Sequence, residues 1–466
     1  MNIDLYKNIY LIGVGGIGMS ALARYFKAKG KNVFGYDKLR SNLCVKLESE
    51  GISIHYKDMV SAIPEVIKNY EYNDSLIIYT SAISDDNKIL SFFTDRRINI
   101  FKRAEILGVI SSQSFTIAVA GTHGKTTTST ILAHILQESG KSATAFLGGI
   151  SRNYNTNLLF SKKGNILIVE ADEYDRSFLH INADVAIITS VDADHLDIYK
   201  NKNELELAFT QFASQVKEKG LLLVEKSVAL DFSIPEGGTK LFYSSKTKAD
   251  YFADNIRMQN GKMIFDMIAL DIMPSMAFEK TEKNIELELP GLHNVSNAVA
   301  AYAAAFYLGL SCKDIAQALT TFKGISRRFD RHIDTEKLVY IDDYAHHPEE
   351  VSATIDTTKK LYPLRQLIVV FQPHLYSRTQ DFVNEFAISL QGADDLVLLD
   401  IYPSREKPIP GVNSKKLLDL CNNPKKELCS KEDLLSALKS KHIDVLLTLG
   451  AGDISTLVQP IKHMLN

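Results

Sequence analysis

Short apolar runs alternate with longer amphipathic stretches over the first hundred residues of the chain. The apolar runs lie at 9–12, 33–36 and 76–80, and helical spacing follows them. Alternation of this kind is typical of parallel strands joined by crossover helices. It predicts a first α/β domain, which we place at residues 1–106.

The alternation begins again at Phe115. The run FTIAVAG is followed by the apolar runs ILIVEA and VAIITS, and the series ends after a predicted helix at 294–308. This second series predicts a central α/β domain at 107–323. Its uncharged apolar stretch, Ala298–Leu310, is too short to span a bilayer and is interpreted as a buried helix.

A third series follows the basic segment Ser326–Arg331. It contains the apolar runs LVYIDDY, LIVVFQP, LVLLDIYP and VLLTLGAGD, each ending in polar residues. Polar loops after parallel strands lie at the sheet edge where open α/β sheets bind ligands. The chain is therefore predicted to be an α/β protein of three domains, and the third, at 324–466, is predicted to be Rossmann-like, as is the first.

The strongest local motif is AGTHGKTTTST, placed between a predicted strand at 116–120 and a predicted helix. Its backbone N–H groups and the helix N-terminus are expected to form a cradle for an anion, Lys125 adds a charge for the β and γ phosphates, and the Thr126 hydroxyl can ligate Mg²⁺. Only two residues separate Gly121 from Gly124, so the motif departs from the common G-x-x-x-x-G-K-[ST] form. The competing interpretation is a glycine-rich turn with a solvated lysine. We predict a central P-loop-type mononucleotide-binding domain.

Acidic residues follow the next predicted strand, in the segment ILIVEADEYD. Period-two geometry puts the side chains of Glu170 and Asp172 on one face of that strand and Glu173 on the other. One of these acids is expected to reach a metal ion.

His195 lies just beyond the predicted strand at 185–190, between Asp194 and Asp197. A lone histidine is more often a surface residue or a hydrogen-bonded loop residue. Because this strand is expected beside the phosphate loop, we predict that His195 is a second metal ligand.

A second glycine loop lies near the N-terminus, where LIGVGGIG matches G-x-G-x-x-G between a strand and a helix. Asp37 follows the next strand at a distance typical of ribose recognition. Taken alone, this motif indicates NAD, but the same turn holds any pyrophosphate against a helix N-terminus. Two phosphate loops in two domains suggest a ligase or kinase that takes ATP at one loop and a nucleotide-diphosphate substrate at the other.

Composition excludes several other classes. The 53 basic and 56 acidic residues give a net charge of -3, which provides no electrostatic footprint for nucleic acid or an anionic membrane. The four cysteines (Cys44, Cys312, Cys421, Cys429) show neither zinc nor disulfide spacing. The N-terminus has no basic region before an apolar core and does not resemble a signal peptide. We expect a cytoplasmic protein, monomeric or homodimeric, without nucleic-acid or membrane partners.

Ten motifs, taken together and in this order, resemble the Mur ligase family of peptidoglycan synthesis over essentially the whole chain. They are GVGGIGMSALA at 13–23, AGTHGKTTT at 120–128, EADEYDRSFL at 170–179, DADHLDIY at 192–199, PGLHNVSNAVAA at 290–301, GISRRFD at 324–330, DDYAHHPEEV at 342–351, FQPHLYSRT at 371–379, DIYPSREKPIPGV at 400–412 and GAGD at 450–453. The first motif and the last five are most similar to the alanine-adding branch of the family.

The resemblance implies an activity. That branch uses ATP and Mg²⁺ to join L-alanine to the lactyl carboxylate of UDP-N-acetylmuramate through an acyl phosphate, with release of ADP and phosphate. The implied domain roles are UDP-sugar binding by the first domain, ATP binding by the second, and closure over ATP with amino-acid binding by the third. The alternative is a relative that adds a whole murein peptide to the same nucleotide sugar. An NAD-dependent oxidoreductase or a non-catalytic nucleotide sensor agrees less well with the motifs, because neither explains the Lys125 loop together with Glu170 and His195.

The resemblance also implies roles for individual residues. The implied catalytic residues are Lys125, Glu170, His195 and Arg328. The implied ATP-binding residues are Gly121, Thr122, His123, Gly124, Lys125, Thr126, Thr127, Asn294, Asn297, Arg328 and Asp343. The implied metal ligands are Thr126, Glu170 and His195. The implied UDP-sugar-binding residues are Gly15, Gly16, Ile17, Gly18, Met19, Ser20 and Asp37, and the implied amino-acid-binding residues are His374 and Arg378.

One motif departs from the family pattern. Leu375 and Gln380 stand where arginines are common in the form FQPHRYTRTRD, so no substrate contact is assigned to these two side chains. Without the family, Arg327 and Arg328 are equally well interpreted as a solvated basic pair. The alternative role of Arg378 is to cap the following helix or to pair with Asp381.

Overall fold

The computed structural model describes residues 1–68, 74–84, 86–192, 198–199, 201–270, 280–404 and 406–466. The chain divides into two compact units. The first contains 1–257, 264–287 and 292–323, and the second contains 258–263, 288–291 and 324–466. Strands of the described residues form three sheets, and the first two belong mainly to the first unit.

The first sheet is parallel, with strand order β3-β2-β1-β4-β5. Its elements are β1 Asn8–Ile12, α1 Ile17–Ala28, β2 Asn32–Tyr36, α2 Asn42–Ser49, β3 Ser53–His55, α3 Glu65–Lys68, β4 Ser75–Tyr79, α4 Lys88–Asp95, β5 Ile100–Lys102 and α5 Arg103–Ser112. This order is Rossmann-like, with two strands on each side of β1, so the glycine loop after β1 lies at the point where the strand order reverses.

The second sheet is larger, and among the described residues it runs β15-β14-β13-β12-β11-β10-β6-β9-β7-β8. Its elements are β6 Phe115–Ala120, α6 Lys125–Glu138, β7 Ala143–Ser151, β8 Thr156–Leu159, β9 Ile166–Glu170, β10 Val185–Ile188, α7 Lys202–Ser214, β11 Leu221–Glu225, β12 Thr239–Ser244, β13 Tyr251–Gln259, β14 Lys262–Ala269, β15 Lys280–Leu287, α8 Leu292–Tyr307 and α9 Cys312–Thr320. The strand β6 lies between β10 and β9, and it is parallel to both. Polar residues that follow these three strands therefore meet at one edge of the sheet.

The third sheet belongs to the second unit and has the order β16-β17-β21-β18-β19-β20. Its elements are β16 Asp330–Asp334, β17 Val339–Asp343, α10 Pro348–Leu361, β18 Leu367–Phe371, α11 Tyr376–Asp381, α12 Val383–Ser389, β19 Asp395–Leu398, α13 Ser414–Leu420, β20 Lys425–Leu428, α14 Leu434–Lys439, β21 Val445–Leu449 and α15 Val458–Leu465. Only β16 pairs antiparallel among the described pairings of this sheet.

The central strands are buried along their whole length, which explains why they appear in the sequence as continuous apolar runs. Every residue of β1, β17, β18 and β21 is buried. Parallel sheets that are covered on both faces require this pattern. In the third sheet, separate apolar clusters lie on the two faces, around Phe371 and around Val370.

One apolar cluster continues from the first sheet into the second. It includes Phe26 of α1, Ile106 of α5, and Leu167 of β9. The ring of Tyr25 lies 5.3 Å from that of Phe146 and 5.8 Å from that of Phe160. Burial of apolar area at this junction stabilises the first two sheets as one unit.

The predicted fold class, an α/β chain with three sheet domains, is confirmed. The predicted boundaries after residues 106 and 323 stay predictions. The apolar stretch Ala298–Leu310 is covered largely by the buried helix α8, as expected. Among the described helices, none has the length and apolar character needed to cross a membrane.

Candidate active site

The phosphate loop joins β6 to the N-terminus of α6. Its residue Gly124 adopts a left-handed conformation, with φ of 82°. A Cβ atom at this position would lie 2.4 Å from Oδ1 of Asn297, which also accepts a hydrogen bond from the Thr128 hydroxyl at 3.2 Å. Glycine is therefore required here both by conformation and by space. The N-terminus of α6 has no side-chain cap, so its N–H groups are suited to an anion.

Lys125 is held by three acceptors. Its Nζ donates to the carbonyl of Gly121 at 2.6 Å and to the two carboxylate oxygens of Glu173 at 2.9 and 2.7 Å. The Glu173 side chain is 0% exposed and that of Lys125 is 15% exposed. Burial acts to lower the pKa of Lys125, but the carboxylates of Glu173, Asp172 and Glu170 raise it above its ordinary value. The lysine is therefore a charged ammonium with all three N–H donors engaged.

Glu170 lies beside the first turn of α6, as the metal assignment requires. One of its oxygens accepts a hydrogen bond from the Thr126 hydroxyl at 3.0 Å, and the other accepts from the Ser129 hydroxyl at 3.1 Å and from the Gly148 amide. A hydroxyl and a carboxylate at this distance are hard oxygen donors of the kind that Mg²⁺ prefers. The donor set therefore fits a magnesium ion next to the phosphate loop.

The segment after β10 contacts the phosphate loop from the other side. The hydroxyls of Thr122 and Ser190 are 2.8 Å apart, and the amide of His123 donates to the Ser190 hydroxyl at 2.9 Å. Nε2 of His123 lies 3.8 Å from Oδ2 of Asp192. These contacts agree with the expected neighbourhood of the strand at 185–190 and the loop. His195 itself lies outside the described residues, so its metal-ligand role stays a prediction.

The N-terminal glycine loop follows β1 and leads into α1. The amide of Gly15 donates to Oδ2 of Asp37 at 2.8 Å, and the amide of Leu39 donates to Oδ1 at 3.1 Å. A Cβ atom on Gly15 would lie 2.6 Å from the Cys44 sulfur and 2.8 Å from Asp37, so only glycine fits. Asp37 therefore orients the backbone of the loop, in addition to the ribose contact predicted for it.

The first turn of α1 is held from the second sheet by Asn157. This fully buried residue of β8 donates from Nδ2 to the carbonyl of Ile17 at 2.6 Å and to the Ser20 hydroxyl at 2.9 Å. Arg24, one turn further along α1, contacts Oδ1 of Asn157 and forms a two-point ion pair with Glu50 at 2.7 and 2.8 Å. The predicted UDP-sugar loop is thus fixed to the second sheet by buried polar contacts.

Asp343 and Arg328 lie in the third domain, at the carboxyl end of β17. Both oxygens of Asp343 accept backbone hydrogen bonds, from Phe329 at 2.5 Å and from Ala345 at 2.7 Å. Burial raises the pKa of Asp343 to about 6, against the opposing effects of Arg328 and these amides. The guanidinium of Arg328 lies 5.4 Å from the centre of the Tyr344 ring.

The neighbouring Arg327 is not a solvated residue. It donates from Nε to Oδ2 of the fully buried Asp342 at 3.0 Å and from its guanidinium to the carbonyl of Gly450 at 2.5 Å. The interpretation of Arg327 and Arg328 as a solvated pair is therefore wrong for Arg327, because a buried carboxylate requires a paired cation.

His374 and Arg378 lie at the carboxyl end of β18, as predicted. The His374 ring stacks on that of Tyr402, with centres 5.8 Å apart, and lies 6.0 Å from the ring of His346. Arg378 is buried in the short helix α11. Between them, Leu375 has a φ of 72°, which is strained for a residue with a side chain.

Two residues that contact the predicted site were absent from the sequence-based assignment. The alternation of side chains along a strand predicted that Glu173 lies on the face opposite to Glu170, yet the Glu173 carboxylate contacts Lys125. The strand ends at Glu170, so the strand period does not apply beyond it. Asn157 carries no motif and contacts residues about 140 positions away in sequence, and no local signal identifies it.

The three sheets, the lysine-bearing phosphate loop and the adjacent hydroxyl–carboxylate pair define an α/β enzyme that binds nucleotide phosphates. Models of the Mur ligase family match three segments of the chain: the family's catalytic domain at 8–115, its middle domain at 119–305, and its glutamate ligase domain at 327–452. The chain belongs to the Mur ligase family.

Individual relatives cover the whole chain. A UDP-N-acetylmuramate–L-alanine ligase of Flavobacterium psychrophilum is 47% identical over 466 residues, which are 100% of both chains. The enzyme of the same name from Flavobacterium johnsoniae is 46% identical, with 100% of this chain and 99% of the relative covered. The crystal structure of the UDP-N-acetylmuramate–alanine ligase MurC of Thermotoga maritima, 27% identical, matches with a TM-score of 0.80 over 98% of each chain.

Proposed function

We propose that this chain is an ATP-dependent ligase that joins L-alanine to the lactyl carboxylate of UDP-N-acetylmuramate, with formation of ADP and phosphate, in peptidoglycan precursor synthesis. The observation that carries the proposal is the 47% identity, over the full length of both chains, to a relative with this name. The loops that follow β1, β6, β9, β17 and β18 retain the motifs of the family. All substrates are small molecules, and ATP and nucleotide sugars are cytoplasmic metabolites, which supports a cytoplasmic location.

ATP is assigned to the loop at 121–127, where the uncapped N-terminus of α6 and the ammonium of Lys125 suit the phosphates. Thr126 and Glu170 are the described residues suited to Mg²⁺, with His195 proposed as a third ligand. When bound, the ion neutralises phosphate charge. Asn294, Asn297 and, in the third domain, Arg328 and Asp343 complete the proposed nucleotide contacts.

The proposed chemistry begins with attack of the lactyl carboxylate on the γ-phosphorus of ATP, which gives an acyl phosphate and ADP. The alanine amine then attacks the acyl carbon, and phosphate leaves. Because two anions must approach each other in the first step, catalysis depends on neutralisation and alignment of charge by Lys125 and Arg328. Lys125 must exchange at least one of its three present acceptors for a phosphate oxygen, since all its N–H donors are engaged.

UDP-N-acetylmuramate is assigned to the loop at 15–20 and to Asp37. Asp37 orients the loop through two of its lone pairs and retains others for a ribose hydroxyl. Alanine is assigned to His374 and Arg378, because a guanidinium binds a carboxylate at two points and leaves the amine to react. We retain the three-domain division at residues 106 and 323 as part of this proposal.

Phosphate release from ATP tests the proposal directly. The purified chain is assayed with ATP, Mg²⁺, UDP-N-acetylmuramate and L-alanine, and each of these components is omitted in turn. We expect phosphate and a product heavier by one alanine residue only in the complete mixture. If a murein tripeptide is a better substrate than alanine, the chain is assigned to peptide addition. In a separate assay with NADH, a change in NADH absorbance together with no phosphate release from ATP would refute ligation.

A further inference from the structure

The motif DIYPSREKPIPGV has no role in the chemistry described above, yet the segment from Tyr402 onward lies against the predicted amino-acid loop. The amide of Tyr402 donates to the carbonyl of Pro373 at 2.9 Å, and the amide of Leu375 donates to the carbonyl of Tyr402 at 3.0 Å. The Tyr402 ring also stacks on His374. The loop after β19 is therefore a support for the loop after β18.

That support acts where the backbone is strained. Leu375 combines a φ of 72° with a ψ of 137°, and it immediately precedes α11. A residue with a side chain is unfavourable in such a region and persists only where surrounding contacts hold it. The strained residue separates His374 from the helix that carries Arg378, so the strain determines the direction in which α11 begins.

Glu406 supplies the contact at the start of that helix. Its Oε2 accepts a hydrogen bond from the Ser377 amide at 3.0 Å, and its Oε1 accepts from the Ser377 hydroxyl at 2.5 Å. Bonds from neutral donors to a carboxylate are stronger than those to a neutral acceptor. A two-point contact one residue before Arg378 fixes both the position and the rotation of the first turn of α11.

We propose that Glu406 is a positioning residue for the amino-acid substrate: by holding Ser377, it keeps the strained turn at Leu375 closed and aims Arg378 at the substrate carboxylate. The inference rests on the proposed function, in which Arg378 binds alanine. Glu406 does not itself touch alanine in this scheme, because both of its oxygens are directed to Ser377.

Steady-state kinetics of the full chain test the proposal with four variants. Glu406→Ala removes both contacts, Glu406→Gln retains an acceptor oxygen, and Arg378→Lys reports on the alanine contact itself. Asp433→Ala is the matched control, since Asp433 accepts a hydrogen bond from the Ser430 hydroxyl at 2.7 Å just before another short helix, α14. KM is measured for alanine, ATP and UDP-N-acetylmuramate, together with Tm.

For Glu406→Ala we expect KM for alanine to rise by about tenfold to a hundredfold, because displacement of a positioned group by about 1 Å has effects of up to about a hundredfold. KM for ATP and for the nucleotide sugar should change less than about twofold, and Glu406→Gln should recover part of the loss. Asp433→Ala should match the wild type. Equal rises in all three KM values with a lower Tm would show a merely structural role and overturn the proposal.

The other outcomes separate the inference from the function on which it rests. If Arg378→Lys raises KM for alanine and neither Glu406 variant does, the role of Glu406 is overturned and the alanine site stays in place. No effect of any of these three variants, in an active ligase, would move the alanine site elsewhere and refute both assignments. Absence of alanine-dependent product with the wild type would refute the proposed function. If Glu406→Ala fails to fold, Glu406→Gln and Ser377→Ala provide the same comparison.

Discussion

Removal of the Lys125 ammonium should affect both catalysis and stability, because the structure pairs it with a buried acid. In Lys125→Met, Glu173 keeps a carboxylate that is 0% exposed and loses the cation that contacts both of its oxygens. Breaking a buried pair costs about 3–5 kcal/mol. The lysine side chain is 15% exposed, so we expect a smaller loss of about 2–3 kcal/mol.

Thermal unfolding without ligands measures this loss. A destabilisation of about 2–3 kcal/mol lowers Tm by about 3–5 °C in a unit of roughly three hundred residues. The double variant Lys125→Met/Glu173→Gln removes the unpaired charge and should recover most of that shift. Ligase activity should fall by at least about a hundredfold in both variants, since each lacks the phosphate-binding cation.

The double-mutant cycle decides whether the ion pair is the cause. With Glu173→Gln as the fourth corner, the coupling free energy should be about 2 kcal/mol. Saturating ATP with Mg²⁺ should raise the Tm of the wild type and leave that of both lysine variants unchanged. A Lys125→Met protein that melts at the wild-type temperature, or a coupling free energy near zero, would refute the reasoning from the buried pair.

Three further predictions concern other parts of the chain. Asn157→Asp replaces the donor to the Ile17 carbonyl by a carboxylate. This variant should raise KM for UDP-N-acetylmuramate about tenfold and leave KM for alanine unchanged. Equal changes in both KM values would contradict the prediction. Burial raises the pKa of Asp343 to about 6, so the folded state binds this proton more tightly than the unfolded state does. The stabilisation that protonated Asp343 gives the folded state is complete below the pKa of the unfolded chain and is lost as pH rises through about 6. The second unit should therefore lose about 1 kcal/mol between pH 5 and pH 7.5 in urea denaturation, and Asp343→Asn should remove this difference. His195→Ala should lose activity that raised Mn²⁺ partly restores, and insensitivity to metal concentration would count against a ligand role.

The elements that the sequence predicted are those whose signal is local. The parallel strands β1, β6 and β18 are buried on both faces, so each is a continuous apolar run in the sequence. Their loops follow at the carboxyl ends, so the sequence alone predicts that the phosphate motif and the acids lie at one sheet edge. Thr126 and Glu170, which are 44 positions apart in sequence, are indeed in contact.

The contacts that the sequence did not predict depend on where an element stops or on long-range packing. Glu173 contacts Lys125 because β9 ends at Glu170 and the chain then turns, and residue spacing contains no such information. The contact of Asn157 with the first turn of α1 arises only when the second sheet packs against the first domain. Glu406 lies in the motif DIYPSREKPIPGV, but its partner Ser377 is 29 residues away and belongs to the helix α11 after a different strand.

Four carboxylates at these loops share one arrangement, which explains how a chain of net charge -3 can accommodate two anionic nucleotides and the carboxylate of an amino acid. At each loop a carboxylate accepts hydrogen bonds from protein donors: Asp37 from Gly15, Glu173 from Lys125, Asp343 from Phe329 and Glu406 from Ser377. Such acids fix the backbone and the cations before the substrate arrives, so less ordering free energy is lost on binding. Their negative charge does not simply repel the substrate, because it is already compensated by local N–H dipoles and ammonium groups. Neutralising any one of them should therefore weaken binding at its own loop, whereas simple electrostatic repulsion predicts that binding would improve.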